Sequence, residues 1–396
     1  MAAEQAAPPT ADEVIEVLRS VIDPELGSDV VSLGMIPNVE VGNNGHVEIE
    51  VRLTISGCPM RADIKRRITE RVDIHPGVTR VHITWTEMSA EERTAAMSTA
   101  RAAAQQRAPE TAIGERCQVL AIASGKGGVG KSSVTVNLAA GLAQQGFTVG
   151  LLDADIWGFS VPRLLGIEGG LDAVERDGRP HISPHRLNIG KGTIEVVSTG
   201  FLVEESTALM WRGLMLTKAV EQFLRDVAWG DLDYLLIDMP PGTGDVQMGL
   251  ARMLPRTSLI VVTTPALAAQ RVAQRAADMA QRSFLPVLGV IENMSGFVCE
   301  DGNLHEVFGS GGGKTLAEAI DVPLLGSIPI EAAVSHGGDM GSPVILQSTG
   351  AARESFMHIV DEIVRTVAPP RVAAEESDGC ATRMLAAFDA ALAATD

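Results

Sequence analysis

The stretch that decides the reading of this chain is Gly125-Lys126-Gly127-Gly128-Val129-Gly130-Lys131-Ser132. It satisfies G-x-x-x-x-G-K-[ST], it follows an apolar run of strand length, Val119 to Ala123, and it precedes a helical pattern from near Ser133. Glycines allow successive backbone N–H groups to converge on a β-phosphate. Lys131 supplies a point charge to the β and γ oxygens, and the Ser132 hydroxyl can ligate Mg²⁺. The expected nucleotide contacts are therefore Gly125, Lys126, Gly127, Gly128, Val129, Gly130, Lys131 and Ser132. Further β-rich runs recur at Phe147–Leu152, Ile194–Ser198, Tyr234–Ile237, Ser258–Thr263, Val287–Ile291 and Leu324–Ile328, mostly with helical stretches between them. Short continuous apolar strands alternating with helices predict an α/β domain over residues 117–368, a mostly parallel sheet covered by helices on both faces. Ligand is then expected at the C-terminal strand ends.

Two acidic groups fall at such ends. The run to Leu152 closes on Asp153-Ala154-Asp155, and the run to Ile237 closes on Asp238, followed by Met239-Pro240-Pro241-Gly242-Thr243-Gly244-Asp245. Phosphoryl transfer depends on positioning and charge neutralisation, so carboxylates facing the phosphate loop can hold Mg²⁺ and orient water. Asp238 is assigned to Mg²⁺, Asp155 to the attacking water and Asp153 to the metal and switch region. The proline- and glycine-rich segment after Asp238 suits a switch loop. No N-K-x-D follows a strand, whereas Val287–Ile291 runs into Glu292-Asn293-Met294, where Asn293 can read adenine through its donor and acceptor pair. ATP is expected over GTP.

Upstream, Thr10-Ala11-Asp12-Glu13 has capping-box form, followed by a helical pattern, two alternating stretches at His46–Ile55 and Thr79–Trp85, and a helical stretch between them. Residues 10–88 read as a small α+β domain. Residues 89–116, rich in Ala, Gln and Arg, read as a helical or flexible linker, and residues 369–396 as an acidic tail with a short helix. The 396 residues carry 32 Lys and Arg against 50 Asp and Glu, a net charge of −18, which opposes binding to nucleic acid or anionic membrane surfaces. The start of the chain lacks a basic region followed by an apolar one, so a cytoplasmic protein is expected. Cys58, Cys117, Cys299 and Cys380 are widely spaced and form no disulfide framework.

With its extra lysine, Lys126, the loop resembles the deviant Walker A of the MinD, ParA and nitrogenase iron-protein class. That resemblance implies that Lys126 reaches the partner subunit's phosphates in a nucleotide-sandwich homodimer, and makes Lys126, Lys131 and Asp155 the expected catalytic groups. Together with Asp153 to Gly158, Ile237 to Asp245, Glu292 to Ser295 and Phe308 to Gly313, the sequence over about residues 115–365 resembles the Mrp/ApbC iron–sulfur carrier ATPases. Residues 10–88, marked by Asp23-Pro24-Glu25 and Thr54 to Pro59, look like the small domain often fused to them. The resemblance implies a 4Fe-4S cluster held between subunits and passed to apo-proteins, with ATP hydrolysis in the cycle. The family usually carries C-x-x-C after Asn-Met-Ser, whereas this chain reads Cys299-Glu300-Asp301-Gly302. A dimer then offers two thiolates where a 4Fe-4S cluster takes four, and His305, Cys58 or a small thiol would have to complete the set. Cys117 and Cys380 read as incidental. The other reading is a ParA/MinD-like partner-switching ATPase without a cluster.

Overall fold

A computed structural model describes residues 7–24, 26–54, 60–156, 158–176, 178–202, 213–242, 245–282, 285–299 and 304–371. Cys58, Thr243, Gly244, Gly302, Cys380 and the expected tail helix lie outside the described residues. The chain divides into two units, Met1–Ala108 and Pro109–Asp396.

In the first unit Thr10 opens α1 (Ala11–Leu18) through a capping box, accepting from Glu13 N at 3.2 Å while its own N–H donates to Glu13 Oε2 at 2.7 Å. β1 (Asn38–Val41) pairs antiparallel with β2 (His46–Leu53), which runs parallel to β3 (Arg80–Glu87). The crossover is α2 (Arg61–Val72), which buries Ile64, Ile68 and Val72. Strict alternation puts Val47, Ile49, Val51 and Leu53 of β2 in the core. β2 stops at Leu53. The segment after β3 is ordered as α3 (Ala90–Arg107), started by a second capping box at Ser89 and Glu92. It belongs to the first unit, where Arg107 Nη1 donates to the Gly27 carbonyl at 2.7 Å.

The second unit is built on β4 (Gln118–Ser124), β5 (Thr148–Asp153), β6 (Asp172–Arg176), β7 (Arg179–Ser183), β8 (His185–Ile189), β9 (Gly192–Ser198), β10 (Tyr234–Asp238), β11 (Ser258–Thr263), β12 (Val287–Val298), β13 (Leu304–His305) and β14 (Leu324–Ile330). Its helices are α4 (Lys131–Gln144), α5 (Val161–Leu164), α6 (Gly213–Asp226), α7 (Asp245–Met253), α8 (Leu267–Arg282), α9 (Gly312–Ala319), α10 (Ala332–Asp339) and α11 (Ala351–Glu362). The main sheet runs β13-β12-β11-β4-β10-β5-β9-β8, with β14 also on β12. Its central pairs are parallel; β8 and β13 join antiparallel. Along β4, Leu120 and Ile122 join the core under α4 and α11, while Val119, Ala121 and Ala123 join the core under α6 and α7. A strand buried on both faces has no polar face to show, which is why it reads as an unbroken apolar run.

After β4 the chain skips one position to form β5, and β10 later fills the gap. The C-terminal ends of β4, β10 and β5 therefore lie side by side. At the other end of β10, the buried Tyr234 packs edge-on against Phe147 and donates its hydroxyl to the Ala368 carbonyl at 2.9 Å. Among the described residues, no helix is long and apolar enough to cross a membrane.

Candidate nucleotide-binding site

The glycine-rich loop joins β4 to α4 across those strand ends. Gly128 and Gly130 both have φ of +81°, backbone that side chains rarely adopt, and Gly130 starts α4 without a side-chain cap. The first N–H groups of α4 are thus left for a ligand, at the positive end of the helix dipole. A Cβ at Gly125 would run into the backbone of Val272 and Ala273 on α8, so glycine is required for close packing there. Lys126, Gly127 and Gly128 are exposed, whereas Val129 is buried.

Below the loop, Lys131, Ser132, Asp155 and Asp238 are brought together. Lys131 Nζ lies 2.7 Å from Asp238 Oδ1 and 3.8 Å from Asp155 Oδ2. Ser132 Oγ donates to Asp238 Oδ2 at 2.5 Å. Thr135 adds a donor that sequence reasoning missed: one turn into α4, its hydroxyl lies 3.0 Å from Asp238 Oδ1 and 2.9 Å from the Lys131 carbonyl. The i+4 spacing from Lys131 on a helix packed over β10 could have pointed to it. A serine hydroxyl beside one fully buried carboxylate is a hard oxygen pair, and that donor set fits Mg²⁺, which takes few protein ligands and keeps waters or phosphate oxygens.

Asp153 has a different setting. It is paired in register with Asp238, and it accepts from Asp155 N at 3.1 Å, Ser198 Oγ at 3.0 Å, and the N–H groups of Ser160 and Val161 at 3.3 Å. Burial first, and the Asp238 charge second, push its carboxyl up to about 7. Asp153 thus anchors the turn that carries Asp155, with Ser198 on β9 as an unforeseen partner. The segment after Asp238 is tied to the base of the phosphate loop, Met239 N to the Ile122 carbonyl at 3.1 Å and Gly242 N to the Ser124 carbonyl at 2.9 Å.

Asn293, expected to read adenine, donates its Nδ2 to the Val129 carbonyl at 2.9 Å. Farther along the same strand, Cys299 is half-buried just beyond β12, and His305 packs its ring against Phe297 with centroids 6.5 Å apart. Cys117 is fully buried, and that burial pushes its thiol up to about 12.

Residues 116–364 match the family model described as NUBPL iron-transfer P-loop NTPase, and residues 11–84 match that of an iron–sulfur cluster assembly protein. The chain is 42% identical over 356 residues to the iron-sulfur cluster carrier protein of Mycobacterium tuberculosis, covering 88% of this chain and 91% of that one. It is 39% identical over 362 residues to the carrier of the same name from Synechocystis, covering 90% and 98%. Against the mouse iron-sulfur cluster transfer protein NUBPL it is 41% identical over 257 residues, covering 63% and 77%. Among solved structures, a nucleotide-binding protein from Archaeoglobus fulgidus in complex with ADP superposes with a TM-score of 0.52 at 33% identity, covering 65% of this chain and 96% of that one.

Proposed function

The chain belongs to the NUBPL iron-transfer P-loop NTPase family, and from that premise we propose that it is an ATP-hydrolysing iron–sulfur cluster carrier, working as a cytoplasmic homodimer that loads apo-proteins. The observation that carries the ATPase part is the bonded set of Lys131, Ser132 and Asp238 beneath the open N-terminus of α4. Lys131 neutralises the β and γ oxygens of ATP. Ser132 and Asp238 hold Mg²⁺, which when bound neutralises charge developing on the phosphates. Asp155, held close to Lys131 by the turn that Asp153 anchors, orients the attacking water. Lys126 is exposed on the loop, where its charge is free to meet a partner subunit's phosphates. Cys299 is the chain's own ligand for the cluster cargo, and the remaining coordination comes from outside the segment.

The test uses the full chain. Mg²⁺-dependent ATP turnover is expected to fall at least about a hundredfold in Lys131→Ala, since that charge acts on the transferring group. After anaerobic reconstitution, transfer of cluster to an apo-ferredoxin is expected from wild type and not from Cys299→Ala. Unchanged turnover in Lys131→Ala removes the site assignment. Absence of iron in reconstituted wild type removes the carrier role and leaves the ParA/MinD-like switch.

A further inference from the structure

The bond from Asn293 Nδ2 to the Val129 carbonyl, 2.9 Å long and buried, links the phosphate loop to β12. In a planar trans peptide the carbonyl of one residue and the N–H of the next point in opposite directions. Holding the Val129 carbonyl toward Asn293 therefore aims the Gly130 N–H away from Asn293, at the uncapped start of α4. The approach is close enough that a Cβ at Gly130 would strike Asn293 Nδ2.

Immediately past Asn293, β12 bends. Met294 sits at φ +59°, left-handed backbone that is strained for a non-glycine residue. Pairing with β14 slips at the same point. Asn293 faces Ile328 and Phe297 faces Ile330, so four steps on β12 oppose two on β14. Beyond the bend the strand pairs with β13 and runs directly to Cys299. One residue thus touches the phosphate loop at the root of the segment that carries the cysteine.

We propose that Asn293 is a positioning residue that aims the Gly130 N–H at the bound phosphate and passes nucleotide occupancy to Cys299 through the bend at Met294. The inference rests on the nucleotide and cluster roles proposed above and names how the two are joined. A phosphate accepting from Gly130 N polarises the same peptide, which strengthens the bond its carbonyl partner accepts from Asn293. Met294 is the compliant link through which that change reorients the outer part of β12.

The test is the rate of Cys299 alkylation by N-ethylmaleimide in the full chain, followed by peptide mass, with and without ADP and Mg²⁺. Wild type is expected to change rate about fivefold or more on nucleotide binding, the low end of ordinary coupling between sites. Asn293→Asp keeps the size but loses the Nδ2 donor; its rate should become indifferent to ADP, and its ADP affinity should fall about tenfold, the worth of one misdirected hydrogen bond. Met294→Gly, which relieves the left-handed strain and loosens the bend, should keep ADP affinity and lose the response; it decides the matter if the aspartate variant does not fold. A wild-type rate insensitive to ADP overturns the proposal. So does a retained response in Asn293→Asp, including the case where that variant loses only adenine-over-guanine preference. Iron loading is measured on the same preparations. Loaded iron without a nucleotide response sinks this coupling alone, whereas a response without iron sinks the carrier reading.

Discussion

Asp238 and Asp153 stand opposite each other at the ends of β10 and β5, and the Lys131 ammonium lies 2.7 Å from the first of them. Two carboxylates share a buried corner, and burial together with the neighbouring Asp238 charge pushes Asp153 up to about 7 from its ordinary 3.8. Between those values the folded chain holds a proton on Asp153 that the unfolded chain has released, so this group's contribution to stability is fully present below pH 3.8 and is lost as pH rises through 7. Asp153→Asn cannot titrate. Relative to wild type, its melting temperature is expected to improve steadily from pH 4 to pH 7.5, whatever the offset from the donors it mispairs. A constant difference across that range in thermal melts would contradict the assignment.

Lys126 is exposed at the loop surface while Lys131 is buried against Asp238. Lys126→Ala is therefore expected to bind a fluorescent ATP analogue within about threefold of wild type, since an exposed charge contributes little in cis. Turnover at saturating ATP should fall at least about tenfold if the ammonium acts across the dimer. Normal turnover with collapsed affinity would confine the lysine to its own subunit's nucleotide.

If the proposed cargo is bound, thiolate supply should limit it. With Cys299 alone in the segment, reconstituted wild type should carry an oxygen-sensitive cluster at less than full occupancy, and Gly302→Cys, which restores the family's spacing, should raise iron per chain toward about two per protomer, a 4Fe-4S cluster shared by two. Iron quantitation before and after air exposure checks this. Full occupancy unaffected by Cys299→Ala would move the cluster elsewhere on the chain.

The two described thiols should also part company chemically. Cys117, pushed up to about 12 by burial, has at pH 8 a thiolate fraction of about one in ten thousand and no route for reagent. Iodoacetamide is expected to label Cys299 within minutes and leave Cys117 unmodified until the chain is denatured, as read by peptide mass.

The glycine loop, the β-rich runs of the central sheet and the two aspartate-bearing strand ends were legible because each is a local pattern with a fixed period or spacing. The rest depended on what packs against what. Thr135 looks like any polar residue in an amphipathic helix until α4 is laid over β10, and Ser198 acquires its role only because β9 pairs beside β5. The strand expected to end at Ile291 continues as β12 to Val298, through Asn293-Met294-Ser295-Gly296, because the slip against β14 absorbs two residues. β6 and β7 form a ladder whose residues are mostly exposed, so no hydrophobic alternation announced them.

Tyr234 is the chain's one tyrosine, and its buried hydroxyl depends on the carbonyl of Ala368. That bond sets how far the P-loop unit can be trimmed. Cut after residue 371, the chain keeps its clasp; cut at 365, it strands a polar group at the start of the strand that ends in Asp238, and the loss is felt as a loosened β10, far along the strand from the carboxylate it presents.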